Sequence, residues 1–437
     1  SEGTEVEAFQ ILNTTSWTRS NLVTLPANWN LKEIRITDEN GEKIETQILS
    51  NGSVAFVAKN VPALSSRKYY IRKAKKKERV KALSEAYQLS SGNIKISFNQ
   101  KTGDIASIRF KGGPNLVNER DTLGFNAYWY GGLIKSNLQK QNNDPTFEVM
   151  ENGKVLTKIR ITSSAPGAES LIREVQLVNG LDEIYLTNVV DKKKVLKDEN
   201  VRFSFPFDIP DGQVRIDIPW ATVKPEGDQL KGANKNFYSV QRWVDMSNQN
   251  MGITLATLEA PLLEIGDMNG QQWMTDMAVR PWIKEYIPSE TLFSWVMNNA
   301  WFVNYKAWQA GKIPFHYVLR PHAAFDDFKT KKFGIEQTQP LLAVPVAKDS
   351  EIIKPVLTLK DASNIIITSI KSSLDKKALI IRFFNPTDEA GKAAITWGRF
   401  KPASLYISSA REQQVSPTGN TISLEPWQVQ TLRVELP

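Results

Sequence analysis

The stretch that most restricts what this chain can fold into runs from Arg202 to Gly266, RFSFPFDIPDGQVRIDIPWATVKPEGDQLKGANKNFYSVQRWVDMSNQNMGITLATLEAPLLEIG. In VRIDIPW the apolar Val214, Ile216 and Ile218 alternate with Arg215 and Asp217. A period of two sends one set of side chains into a core and the other set out of it, as strands do and helices do not. Asp211-Gly212, Glu226-Gly227-Asp228 and Asn248-Gln249-Asn250 separate such runs with residues that reverse a chain at low cost. The stretch therefore reads as antiparallel sheet.

The same habit extends in both directions. Residues 5 to 73 alternate short apolar runs with turns (FQILN, LVTLP, EIRIT, ETQIL, VAFVA, KYYIRK), the spacing of a small antiparallel sandwich. From Leu83 the runs lengthen. IKISF and IASIRF flank a hairpin at Asn99 to Asp104 with Gly103 where a positive φ is cheap, and TFEVME, KVLTKIRITSS, SLIREVQLV and EIYLTNVV follow. Residues 346 to 437 return to short strands, among them VLTLK, ALIIRFFN and VQTLRVEL. With scarcely a helical stretch between them, these runs predict an all-β chain: a large antiparallel supersandwich flanked by two smaller β-sandwich domains. The expected domains are 1–82, ending in a basic linker, 83–345 and 346–437.

Composition removes several functions. Without Cys there is no disulfide, thiolate metal site or cysteine nucleophile. No apolar run reaches the ~18 residues of a membrane-spanning helix, and none resembles a signal peptide. The net charge of +8 is concentrated in Arg72 to Lys81, RKAKKKERVK, which alone supplies +6. A nucleic-acid protein spreads its cations over a face with readers among them, so the run reads as a solvated linker or edge strand. Neither nucleic acid nor membrane is an expected partner. Asn13-Thr14-Thr15 and Asn51-Gly52-Ser53 match the N-glycosylation pattern, a short signal that arises readily by chance. A start at Ser1 with no initiator Met is what a processed chain or a fragment would show.

Within the central stretch, PFDIP, IPWATVKPEGDQLKGANKNF, VQRWVDMSN and GITLATLEAPLLEIG follow one another closely. Their order and wording resemble the C-terminal β-region of the family-38 glycoside hydrolases, the retaining α-mannosidases. Asn13-Thr14-Thr15-Ser16-Trp17-Thr18-Arg19 resembles the opening of that region, YQLSSGNIKISFNQKTGDIASI the start of its large sheet domain, and SWVMNNAWFVNYKAWQAG with FHYVLRPH its end. The resemblance implies a galactose-mutarotase-like supersandwich. It also implies a catalytic domain before Ser1, holding the zinc, the nucleophile and the acid/base, so that this chain carries no catalytic residue and no cofactor of its own. Its partners would be that domain and mannosides.

The family completes its active site with an aromatic residue and an Arg from the β-region, and on the NFYSVQRWVD match these are Tyr238 and Arg242. No Arg closely follows EIG, which leaves Arg280 a distant second candidate for the Arg role. The residues themselves point the same way. Seven of the twelve Trp lie between Trp220 and Trp308, and WVMNNAWFVNYKAW interleaves them with amides. Aromatic faces pack on the C–H face of a pyranose while amides and guanidinium bond its hydroxyls; the same Trp residues also serve as core filler in large sandwiches. The expected sugar-contacting set is Tyr238, Arg242, Trp243, Asn298, Asn299 and Trp301, with no metal site. His316 and His322, with Asp326 and Asp327, could be drawn as two-His-one-carboxylate ligands, although adjacent Asp residues on a strand point to opposite faces. Two alternatives stand beside the mannosidase reading: a stand-alone carbohydrate-binding module, and an aldose 1-epimerase using Glu259 or Glu264 with His316 or His322.

Overall fold

The computed structural model describes residues 6–29, 31, 34–73, 87–132, 140–269, 282–299, 308–362 and 364–437. It divides into two compact units, Val80–Asp326 on one side and Ser1–Arg79 with Asp327–Pro437 on the other.

Two large antiparallel sheets make up the first unit. One has six strands in the order Lys140–Gln141, Ala127–Gly131, Glu199–Pro206, Thr291–Asn299, Leu262–Ile265 and Tyr238–Ser239. The other has nine: Asn143–Asn152, Leu156–Ser164, Ala168–Val178, Ile184–Lys192, Gly311–His322, Gly252–Thr257, Trp243–Ser247, Gln213–Ile218 and Ala221–Val223. A three-stranded meander, Gln88–Ser91, Ile94–Phe98 and Ile105–Phe110, adds Leu89, Ile96, Phe98 and Ile108 to the same core.

The period of two fixes which side chains meet. Along Ile184–Lys192 every second residue is fully buried, and along Glu199–Pro206 the residues Val201, Phe203 and Phe205 enter the core. Phe203 and Phe205 meet rings of the nine-stranded sheet, with centroids 6.2 Å from Phe315 to Phe203 and 5.3 Å from Tyr317 to Phe205. These spacings suit edge-to-face packing. Polar groups tie the sheets where rings do not. The Tyr317 hydroxyl donates to Ser294 Oγ at 2.8 Å, the amides of Asn126 and Asn188 exchange two bonds at 3.1 and 2.7 Å, and Lys192 pairs with Glu199 at 2.7 Å. At the Asn99–Asp104 hairpin, Gly103 has φ +74°, and a Cβ there would meet Arg173 Nη2 at 2.6 Å. Backbone conformation and crowding both demand glycine at that position.

The second unit contains the two small sandwiches. In the first, a four-stranded sheet ordered Leu342–Val346, Ala8–Asn13, Ser65–Lys73, Ile34–Asp38 shares its core with the sheet of Arg19–Leu25, Val54–Val61 and Gln47–Ile48. In the second, Leu357–Lys360, Gly391–Trp397 and Thr421–Leu424 share theirs with a five-stranded sheet centred on Val429–Glu435. The helix Asp327–Thr338 and the strand Leu342–Val346, placed by the sequence reading at the end of the large domain, belong here. Leu342 to Val346 pairs with Ala8 to Leu12 in register, the Trp17 indole donates to Glu336 at 2.6 Å, and Ile335 packs with Ile366 and Phe384. Asn13 is buried, its amide donating to the carbonyls of Trp17 and Val61 at 2.8 and 3.0 Å, so this acceptor pattern is closed in the fold. The basic run begins at the end of Ser65–Lys73, and its residues from Ala74 onward lie outside the described ones.

Candidate functional site

Each large sheet has a polar face turned away from the core. On the six-stranded sheet it starts from Glu199–Pro206, where Asn200, Arg202 and Ser204 alternate with the core-facing Val201, Phe203 and Phe205. Arg202 grips the Glu264 carboxylate with both Nε and Nη2, the second contact at 3.1 Å, and the two side chains are 3% and 0% exposed. The guanidinium also lies over the Trp295 ring, 4.8 Å from its centroid. A register shift between Val201 and Arg202 pairs the latter with Trp295, while Met297 beyond it returns to the core. The Trp295 indole N–H donates to Asn200 Oδ1 at 2.9 Å, and Phe237 meets the same ring edge-on at 5.7 Å. Ring, guanidinium, amide and carboxylate are the classes that recognise sugars, but here the charges are spent on each other and closed from solvent.

The nine-stranded sheet's polar face centres on Trp243–Ser247. Val244 and Met246 enter the core, which turns Trp243, Asp245 and Ser247 the other way. Asp245 is fully buried and accepts from three groups: Ser247 Oγ, Thr254 Oγ1 at 2.7 Å and His322 Nε2 at 2.7 Å. Arg215 donates to Ser247 Oγ at 3.1 Å and stacks 4.5 Å from the centre of the Phe325 ring, which lies 6.0 Å from Trp243. Only a glycine at 252 fits beneath, because a Cβ there would lie 2.3 Å from Ser247 Cβ and 2.5 Å from His322 Cε1. Burial pulls the His322 pKa down, but the hydrogen bond and charge of Asp245, with the carbonyls of Ala323 and Ala324, raise it overall above the ordinary value. Earlier on the same strand, half-buried His316 pairs with Glu259, Nδ1 to Oε1 at 2.7 Å, while its backbone N–H donates to Oε2 at 2.8 Å.

Tyr238, Asn298 and Asn299 fall in the six-stranded sheet. The Tyr238 ring turns into the core beside its pairing partner Leu263; its buried hydroxyl meets no hydrogen-bond partner among the described residues, and burial pushes the phenol pKa up. Asn298 pairs across from Asn200, and the Asn299 amide is directed at the Val195 and Lys197 carbonyls at 3.4 and 3.3 Å. Arg242 and Trp243 belong with the nine-stranded sheet: the Arg242 carbonyl accepts from the Thr257 N–H at 2.9 Å, and Trp243 is fully buried. Trp301, Trp273 and Arg280 lie outside the described residues. The five described members of the expected set are thus divided between two sheets. Arg202 and Asp245, which organise the two polar faces, were not among the expected residues; a charge set in the buried-aromatic alternation RFSFPF was the one hint of the first.

A zinc ion does not fit this donor set. His316 and His322 engage different carboxylates, and no group of three or more His, Cys, Asp or Glu that could hold a metal occurs among the described residues. Of the acid and base pairings expected for an epimerase, His316 with Glu259 is brought together, while Glu264 is gripped by Arg202 and His322 by Asp245.

Two family profiles match this chain in order: the family-38 glycosyl hydrolase C-terminal domain over residues 89–261, and the family-38 C-terminal β-sandwich domain over residues 364–432. The chain is a C-terminal region of glycoside hydrolase family 38. Two solved structures from Enterococcus faecalis, a protein of family 38 and an α-mannosidase, each superpose on 99% of this region with a TM-score of 0.75 and 14% identity. At that identity the likeness is one of fold. A curated protein of Halalkalibacterium halodurans named "Putative mannosylglycerate hydrolase" is 24% identical over 257 residues, 55% of this chain. The family-38 region described here spans 58% and 56% of the two solved chains, and the match to the curated relative covers 26% of that protein.

Proposed function

We propose that this chain is the non-catalytic β-region of an α-mannosidase-like glycoside hydrolase, packing on a zinc-dependent catalytic domain and helping to wall the cleft that holds a mannoside. The observation that carries the reading is the ordered pair of family-38 C-terminal matches, 89–261 and 364–432, on a fold that leaves over two fifths of each solved relative unmatched. Hydrolysis of a glycoside by retention needs two carboxyl groups about 5 to 5.5 Å apart across the scissile bond. The buried carboxylates described above are each held by a cation or by several donors, which suits a supporting role. Tyr238, whose hydroxyl has no hydrogen-bond partner among the described residues, remains the family-matched candidate to meet sugar or catalytic domain at the edge of the six-stranded sheet.

Hydrolysis of an aryl α-mannoside tests this directly. The isolated chain is expected to show no turnover with or without zinc, whereas the same region joined to its catalytic domain turns over and loses kcat/KM on Tyr238→Phe. Metal-dependent turnover by the isolated chain would place the chemistry within it and overturn the reading. A stand-alone carbohydrate-binding module is the second reading, favoured by the 43% and 42% exposed Trp220 and Trp282; binding to a glycan array by the isolated chain, lost on replacing either Trp, would support it.

A further inference from the structure

His322 ends the long strand Gly311–His322, and the four residues after it, Ala323 to Asp326, are the last of the large unit. The contacts of its ring favour one protonation state over the others. Nδ1 lies 3.0 Å from the Ala323 carbonyl, and a carbonyl oxygen only accepts, so this contact is a hydrogen bond when Nδ1 carries a proton. Nε2 lies 2.7 Å from Asp245 Oδ2. Arg215 donates to Ser247 Oγ, which leaves the Ser247 proton for Asp245 Oδ1; Thr254 donates to Oδ2. Asp245 accepts from Ser247 and Thr254, and its Oδ2 offers Nε2 an acceptor for a proton carried there. Both ring nitrogens thus face acceptors, an arrangement that an imidazolium satisfies and a neutral ring does not, and the side chain is 18% exposed.

Among the described residues, the charged groups that bear on it lie on several elements. Asp245 faces it from Trp243–Ser247, and Arg215 on Gln213–Ile218 stands behind Ser247. On its own strand Arg320 is neutralised by Glu183 at 3.2 Å, and the neighbouring strand Gly252–Thr257 presents Thr254 and Gly252. Asp326, the last residue of the strap, carries a further negative charge.

From this arrangement we infer that His322 is a proton-operated latch for the strap Ala323–Asp326: the protonated ring holds the strap to the sheet, and loss of one proton releases it. The direction of release follows from the two acceptors. A carboxylate holds an N–H more strongly than a neutral carbonyl does, so the proton that leaves is the one on Nδ1. The Ala323 carbonyl then faces a lone pair, and the strap loosens while the bond to Asp245 persists. Phe325, seated on Arg215 and Trp243, is the side chain whose packing registers the change. Because the folded-state pKa of His322 is raised, the latch is closed below the ordinary His value of about 6.5 and opens as pH rises through the raised value. Each pKa unit of elevation corresponds to about a tenfold change in the strap's closing constant.

The chain holds only two histidines, so selective labelling of the imidazoles gives two resonances, assigned with His316→Gln. In the unaltered chain the His322 signal is expected to titrate above the ordinary His value of about 6.5, with the alkaline form deprotonated at Nδ1. Amide exchange of residues 323–326, corrected for its intrinsic base catalysis, should accelerate across the same pH range. His322→Gln should abolish that pH dependence, and Thr254→Val, which removes one donor from Asp245, should shift its midpoint. A His322 that is neutral at pH 7, an alkaline form deprotonated at Nε2, or strap exchange that does not follow the titration would each overturn the proposal. The titration needs no variant at residue 322 or 245, so the test survives if those variants fail to fold.

Discussion

Removing the Glu264 carboxylate is the sharpest perturbation the large unit offers. Arg202 is 3% exposed and Glu264 fully buried, so Glu264→Ala leaves a guanidinium in the interior without its bidentate acceptor. Breaking a buried pair from one side costs about 3–5 kcal/mol, because the charge that remains has lost its bidentate partner without regaining water. For a unit of this size each kcal/mol lowers Tm by roughly 2–4 °C, which puts the expected fall at roughly 6–20 °C. The double replacement Arg202→Met with Glu264→Leu removes both charges and keeps apolar volume under Trp295; such exchanges are often neutral or stabilising, so most of the loss should be recovered. Differential scanning calorimetry with near-UV circular dichroism follows both variants, the aromatic signal reporting the tertiary packing around Trp295. A Glu264→Ala loss below about 1 kcal/mol, or a double variant no better than the single one, would refute the view that charge compensation holds this face together.

Three further outcomes are expected. Gly252→Ala drives a Cβ against Ser247 and His322 and should cost about 1–3 kcal/mol by overpacking, seen as a lower denaturation midpoint; a neutral result would mean that the two strands part freely. Trp220 holds φ +65° in the two-residue turn between Gln213–Ile218 and Ala221–Val223, so Trp220→Gly should relieve about 1 kcal/mol of backbone strain in thermal melts, less whatever the ring's contacts contribute. EDTA should leave the melting temperature of the isolated chain unchanged, whereas a fall reversed by zinc would locate a metal site within it.

The strands of the large sheets were legible because the alternation that announces them is local: IYLTNVVDK and VRIDIPW state their own faces. The site was less so, and the path between Tyr238 and Arg242 shows why. Val240 N–H bonds the Pro261 carbonyl, beside the Leu262–Ile265 strand of the six-stranded sheet, while the next residue's N–H, that of Gln241, bonds the Asp217 carbonyl of the nine-stranded one. The chain changes sheets between adjacent residues, so two side chains four positions apart serve different faces. No periodicity records such a crossing. The helix Asp327–Thr338 escaped for another reason: with four Lys and Asp residues among DFKTKK it lacks a clear apolar stripe, and what holds it is the distant Ile366, Phe384 and Trp17.

The same reasoning explains why the pairs that organise both polar faces were invisible as pairs although each member is plain in the sequence. Arg202 and Glu264 are 62 residues apart, Asp245 and His322 77. Each charge on its own strand would be an unfavourable burial, and only closure of the sheet around it makes the position tenable. A substitution at one member is consequently read by the other, across the whole breadth of a sheet. That coupling has a consequence for the proposed cleft. If sugar or a catalytic domain acts on Asn298 or Tyr238, the six-stranded sheet carries the disturbance to Arg202 and Glu264, whereas a change at Arg242 or Trp243 reaches Asp245 and His322 instead. Variants on the two faces should therefore combine additively with each other and non-additively within a face, and double-mutant cycles of Glu264→Gln with Asn298→Ala and with Thr254→Val would separate the cases. Strong coupling between the faces would show that the sheets respond as one body and that the division drawn here is wrong.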